Sequence, residues 1–212
     1  MAELAEGIPE LARALSVDET ASKFRALSLL VYFFSSIRHT DAELALISKA
    51  TRSRATWPTD VRDGLHRILS TRIGPQVCSE CLSLGAMMMS WFGPTWAVPH
   101  GDTEGKHAEL LLQVVRIEVT MLLEDDIKPE DPNAPRKALD DTQQYTVLSC
   151  FEIVERSIEY LSLDSDDAWE RLQAQPLARL LDIVRDVVAI AMRFIAREKV
   201  RRSTRPMRCH VS

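Results

Sequence analysis

Residues 114–126 read "VVRIEVTMLLEDD". Val115, Ile117, Val119 and Met121 alternate with Arg116, Glu118 and Thr120, the pattern of a strand with one buried face. Extended upstream, the stretch becomes "ELLLQVVRIEVTMLLE" over 109–124, longer than an ordinary strand. On a helical wheel at about 100° per residue, Gln113, Arg116, Thr120 and Glu124 share one arc of roughly 80°. Everything else is apolar except Glu118, near the middle of the apolar arc. A strand here would be alone in an otherwise helical chain, with nothing to pair with. The spacing therefore predicts a helix buried on most sides, with one acid inside.

That reading makes Glu118 a buried structural acid. An unpartnered carboxylate in an apolar interior costs several kcal/mol or shifts its pKa until it is neutral. The expected partners are the N-terminal amides of a neighbouring helix, or a buried Arg or Lys. A catalytic role is disfavoured, because no second acid or nucleophile is placed to work with it.

Composition agrees with helices. The chain has 212 residues, 46% of them apolar and 27% charged, in the range of soluble globular proteins. It has 7 glycines and a single asparagine, Asn133, too few for many tight hairpin turns. The formal net charge of −5 gives no global attraction for nucleic acid. Charge is uneven, however. Residues 193–208 carry seven Lys or Arg and one acid, Glu198, while Glu124, Asp125, Asp126, Glu130 and Asp131 cluster mid-chain.

Four cysteines in a chain of this length do not suggest a disulfide framework. "MAELAEGIPE" lacks a basic start followed by an apolar core, so no secretory signal is read there. A reducing, cytoplasmic location is expected. Residues 81–101 contain no Asp, Glu, Lys or Arg, but Gly93-Pro94 and Pro99 interrupt them, which favours a buried soluble helix over a bilayer span.

Ser16-Val17-Asp18-Glu19 and Thr40-Asp41-Ala42-Glu43 fit the capping box. Apolar stripes follow at Leu27, Leu30, Val31 and Phe34, at Val61, Leu65, Ile68 and Leu69, and at Val147, Phe151, Val154, Ile158 and Leu161. The plainest runs from Leu177 to Ile195, with Pro176 near its start. Helices are expected at 2–15, 17–37, 41–52, 58–70, 75–92, 104–124, 141–162, 166–173 and 176–200, with a proline-rich surface loop at 127–138. Consecutive amphipathic helices with short turns suit a bundle or an α-solenoid. No strict repeat is visible to separate the two.

Several segments taken together carry a resemblance. These are "TASKF" (20–24), "DGLHRILSTRI" (63–73), Trp96 after an uncharged helix, "GKHAELLLQVVRIEVTMLLEDD" (105–126) and "LARLLDIVRDVVAIAMRFI" (177–195). In this order and spacing the chain resembles the neurochondrin family, the Ile117-Glu118-Val119 core followed by Leu123-Glu124 being the most specific piece. The resemblance implies an all-α, armadillo-like α-solenoid of stacked helical hairpins. It also implies a cytosolic, non-catalytic scaffold that binds other proteins. Family members are longer, so residues 1–200 read as one helical-repeat domain corresponding to a central slice. Residues 201–212 read as a basic tail expected to be disordered. Repeats bury their faces on neighbours, so a slice should expose an apolar patch at one or both ends, able to drive self-association.

Other candidate chemistry is thin. Cys78-Ser79-Glu80-Cys81 is a lone CxxC, whereas a structural zinc site wants four ligands, so these cysteines read as helix core. His100 and His107 bracket Asp102 and Glu104 without a ligand spacing, and read as a solvated loop leading into a helix. No GxSxG, P-loop or HExxH occurs, and neither cofactor nor metal is expected. The tail Cys209-His210-Val211-Ser212 has the C-a-a-X form behind Arg201, Arg202, Arg205 and Arg208. Cys209 is thus a candidate lipidation site, and a membrane-associated adaptor is the alternative function.

Overall fold

The computed structural model describes residues 2–53, 55–99, 102–123, 139–162 and 172–204. Among the described residues there are eight α-helices and no strand. They are α1 (Ala2–Val17), α2 (Ser22–Ile37), α3 (Asp41–Ser53), α4 (Trp57–Leu69), α5 (Pro75–Phe92), α6 (Lys106–Leu123), α7 (Asp141–Ser162) and α8 (Ala174–Thr204), with a short 3-10 turn at Pro94–Trp96. The stretch that could have been a strand is the body of α6. Of the helix expected at 166–173, residues 166–171 lie outside the described residues. α8 runs to Thr204, past the boundary drawn at 200, and residues 205–212 with Cys209 lie outside the described residues.

The expected cap at Ser16 does not form. Ser16 is still inside α1, and its hydroxyl donates to the Arg13 carbonyl. Asp18 organises the turn instead, accepting from the Thr20 amide and from the Thr20 and Ser22 hydroxyls. An aspartate one residue beyond a helix end holds the next few backbone and hydroxyl donors at short range, so it outcompetes a serine that can bond its own helix.

The helices lie in two rows. One row runs α1, α4, α6, α8 and the other α2, α5, α7, with the chain stepping between rows as it advances. α3 packs only thinly, against α2. α2 runs parallel to α5, and α6 to α8, each pair at its own constant sequence offset. Between α2 and α5, Ser28 donates to Glu80 and Ser35 approaches Met87, both pairs 52 residues apart. Between α5 and α7, Thr146 donates to Ser79 at 2.7 Å. Between α6 and α8, Arg179 binds Glu109 and Arg116 binds Asp186, both pairs 70 apart, and the Gln173 amide donates to the Thr103 carbonyl where the two helices begin.

The core lies between the rows. Phe34, fully buried, has its ring centroid 4.6 Å from Trp91 and 5.7 Å from Trp57, joining α2, α5 and α4. Leu82, Leu84, Met87 and Met88 of α5 are buried to within 2%. The uncharged segment is thus core helix. No described helix is long and apolar enough to cross a membrane. α5 stops at Gly93, whose φ of 77° suits glycine, and the Trp96 indole donates to the Pro58 carbonyl at 2.8 Å, pinning the following turn to α4.

Candidate functional site

Three places hold residues with chemistry to offer. The first is where α5, α6 and α7 meet around Glu118. This side chain is half-buried rather than fully enclosed, and the Cys78 thiol donates to its Oε1 at 3.3 Å. The expected helix amides, Arg or Lys are not what the structure places there. The acid shares the neighbourhood with Cys150, which is fully buried. Burial pushes the Cys78 thiol up to about 12, and the Glu118 carboxylate adds to it. Burial likewise raises Cys81 and Cys150. Thiols held protonated are poor nucleophiles and poor metal ligands. Among the described residues no group of three or more ligating side chains could hold a metal.

The second place corrects a sequence reading. His107 was expected in a solvated approach to α6. It is 5% exposed in the first turn of that helix, packed between rows. Its ring lies 5.8 Å from that of His66 and meets the edge of Trp96 at 5.4 Å. Both His107 nitrogens, and Nδ1 of His66, are buried without a hydrogen-bond partner among the described residues. Burial, with the charge of nearby His66 and Arg62, lowers His107 to about 3, so it stays neutral. The reason for the misreading is the turn before it. Asp102 accepts from the Glu104 and Gly105 amides and folds the polar residues outward, which turns His107 in. His100 lies outside the described residues. Asp102 and Glu104 remain at the surface, with Glu104 on Lys106 at 2.6 Å.

The third place is a groove along the seam of α6 and α8, holding about 390 Å³ and lined by Arg116, Ile117, Thr120, Met121, Asp186, Ala189, Ile190 and Arg193. α6 was expected to be buried on most sides, with Gln113, Arg116 and Thr120 on its polar arc. Instead Ile117 is 53% exposed and Met121 46%, one turn apart on the groove wall. Ala108, Leu111, Leu112, Val115, Val119 and Leu123 are the apolar residues it buries. Arg116 spans the seam to Asp186 at 3.3 Å and also donates to Gln113. On another side of α8, Leu181, Val188, Met192 and Ile195 are each at least 40% exposed and fall on one stripe. α8, the last described helix, thus keeps an exposed apolar stripe. At the other end, Ile8 and Leu15 of α1 are buried.

The sequence did hold a signal for the groove. α6 has more apolar positions than one packing face can use, and α8 has two apolar arcs. An all-round apolar helix reads equally as deep burial or as an uncovered contact face.

The sequence model of the family described as Neurochondrin matches residues 2–207. A protein of Drosophila melanogaster named "Neurochondrin homolog" is 26% identical over 201 residues, covering 94% of this chain and 25% of that protein. The chain thus spans about a quarter of the length of the curated relative it matches. No solved structure matches.

Proposed function

Because this chain belongs to the neurochondrin family, we propose that it is a non-catalytic helical-repeat scaffold whose output is a protein-binding surface. In this reading the two rows are an armadillo-like solenoid. Parallel neighbours such as α2 with α5 and α6 with α8 are what stacked helical hairpins produce. The observation that carries the reading is the apolar surface left uncovered on α6 and α8, Ile117 and Met121 on one side and Met192 and Ile195 on another. Exposed apolar patches of this kind mark contact sites more often than catalytic ones. Among the described residues, the buried His107, Cys78, Cys81 and Cys150 are held uncharged by their surroundings rather than tuned towards neutral pH, as acid–base catalysis would want. The expected location is the cytoplasm.

Capture from extract tests this. The tagged chain should retain a reproducible set of proteins. One of two surface variants, Ile117→Asp with Met121→Asp or Met192→Asp with Ile195→Asp, should lose them while keeping the helical circular dichroism of the parent. Retention of the same proteins by both variants, or of none by the parent, would overturn the reading. Sedimentation of the chain with membranes at moderate salt would favour the adaptor alternative.

A further inference from the structure

We propose that α3 is a hinged flap, which opens between two fixed ends while the two rows of helices stay folded.

α3 and α4 are the same length, 13 residues each. α4 buries Trp57, Val61, Gly64, Leu65, Ile68 and Leu69. Among its described side chains α3 buries only Leu46 and Ala50, and its Leu44 is 67% exposed. Helix propensity does not make up the difference, because helices shorter than about 12–15 residues are marginal in water without a packed face. α3 belongs to neither row and leans thinly on α2. The contacts that hold the first helices together bypass it. α1 packs on both α2 and α4, and the Arg67 guanidinium of α4 donates to the Ser16 carbonyl of α1 at 2.7 Å. Lifting α3 from its seat breaks none of these.

Both ends of the flap are pinned. Before it, Phe34 and Ile37 of α2 are fully buried. After it, Trp57 is 4% exposed, its ring 5.7 Å from Phe34 and 5.4 Å from Phe92. The core thus closes the loop from 38 to 56 whether or not α3 is seated, so reseating costs no further loop closure. The entry turn is strained. His39 has a φ of 63°, in the left-handed region that residues with a side chain seldom adopt. The Glu43 carboxylate holds it there by accepting from the His39 amide, and the Thr40 hydroxyl donates to the Ile37 carbonyl beside it. These local bonds set how often the flap opens. Opening enlarges the apolar surface that α2 already shows at Leu29, 53% exposed, and Tyr32, 75% exposed. Access to that face is therefore gated by the most weakly held of the described helices.

Hydrogen exchange of the full chain at pH 7, read peptide by peptide, tests this. Amides of residues 41–53 should exchange at least about a hundredfold faster than those of α4 and α5, whose opening exposes far more apolar surface. Glu43→Ala removes the bond to the His39 amide and should speed exchange in 41–53 by about fivefold to tenfold. His39→Val puts a β-branched residue in the left-handed turn and should act in the same direction. Neither variant should change exchange in α4 and α5. Amides of α3 that exchange only as slowly as those of α4 and α5 would overturn the proposal, because α3 would then open only with the whole molecule. So would variants that speed every helix together. Exchange of 41–53 at the rate of unstructured chain would overturn it as well, since no closed flap would exist.

Discussion

His107 sets the first test at the scale of one residue. Its folded pKa of about 3 lies below the ordinary histidine value of 6.5. The folded state therefore binds fewer protons than the unfolded chain below pH 6.5. Stability from this group is complete above that value, and is lost as pH falls, until about pH 3. Each pH unit inside the window costs about 1.4 kcal/mol. Between pH 7 and pH 5 the loss should reach about 2 kcal/mol. His107→Phe keeps a ring against the Trp96 edge and removes the titration. Urea unfolding at pH 7 and pH 5 should then show a shallower pH dependence in the variant than in the parent. Equal dependence in both would show that His107 is not the group being protonated. Sequence alone could not place this residue. A histidine near Asp102 and Glu104 looks solvated until the Asp102 turn fixes which way the chain enters α6. Glu118 was half legible. Its odd position on the wheel set it apart from the polar arc of α6. The partner is a thiol 40 residues away on α5, which no local pattern announces.

At the scale of the element, helices were the readable part, because apolar spacing at 3.6 residues survives any tertiary detail. α5 appears at 75–92, the bounds expected, with Pro75 at its start and Gly93 after its end. Ends without such punctuation moved by a few residues, as α1 did when it ran through Ser16. How closely two helices approach was not readable. At Gly64 of α4 an added Cβ would lie 2.6 Å from Leu15 Cγ and 2.9 Å from the Leu15 backbone. α1 and α4 meet there with no room for a side chain, and Arg67 binds the Ser16 carbonyl beside it at 2.7 Å. Gly64→Ala therefore separates two opposed effects. Helix propensity alone would stabilise by up to about 1 kcal/mol. Overpacking against a backbone that cannot yield costs about 1–3 kcal/mol. The structure predicts that the second wins and Tm falls by several degrees. A rise in Tm would mean that α1 rides further from α4 than the coordinates place it.

For the whole molecule, the row arrangement was out of reach of periodicity. Helices stack at offsets of 52 from α2 to α5, 67 from α5 to α7 and 70 from α6 to α8. These offsets differ, so among the described residues no single repeat length joins the pairs. What could be anticipated was a surplus of apolar surface, because a stacked array satisfies each helix only through its neighbours. Part of the surplus lies on α8, where Leu181, Val188, Met192 and Ile195 form a stripe, with Met192 61% exposed and Ile195 57%. Water contact along such a stripe is unfavourable at roughly 25 cal/mol per Å² of apolar area. Two molecules that bring their stripes together relieve it, while the exposed Lys199 of each copy, one turn beyond Ile195, holds the association weak by like-charge repulsion. Sedimentation velocity across a range of concentrations should thus show the chain's average coefficient rising with concentration, more steeply as salt screens those charges. Met192→Lys with Ile195→Lys should flatten the rise and leave the thermal melt unchanged, because neither side chain contributes to the core. A parent that stays monomeric at every concentration and salt would show that the stripe is too narrow or too guarded to pair with itself.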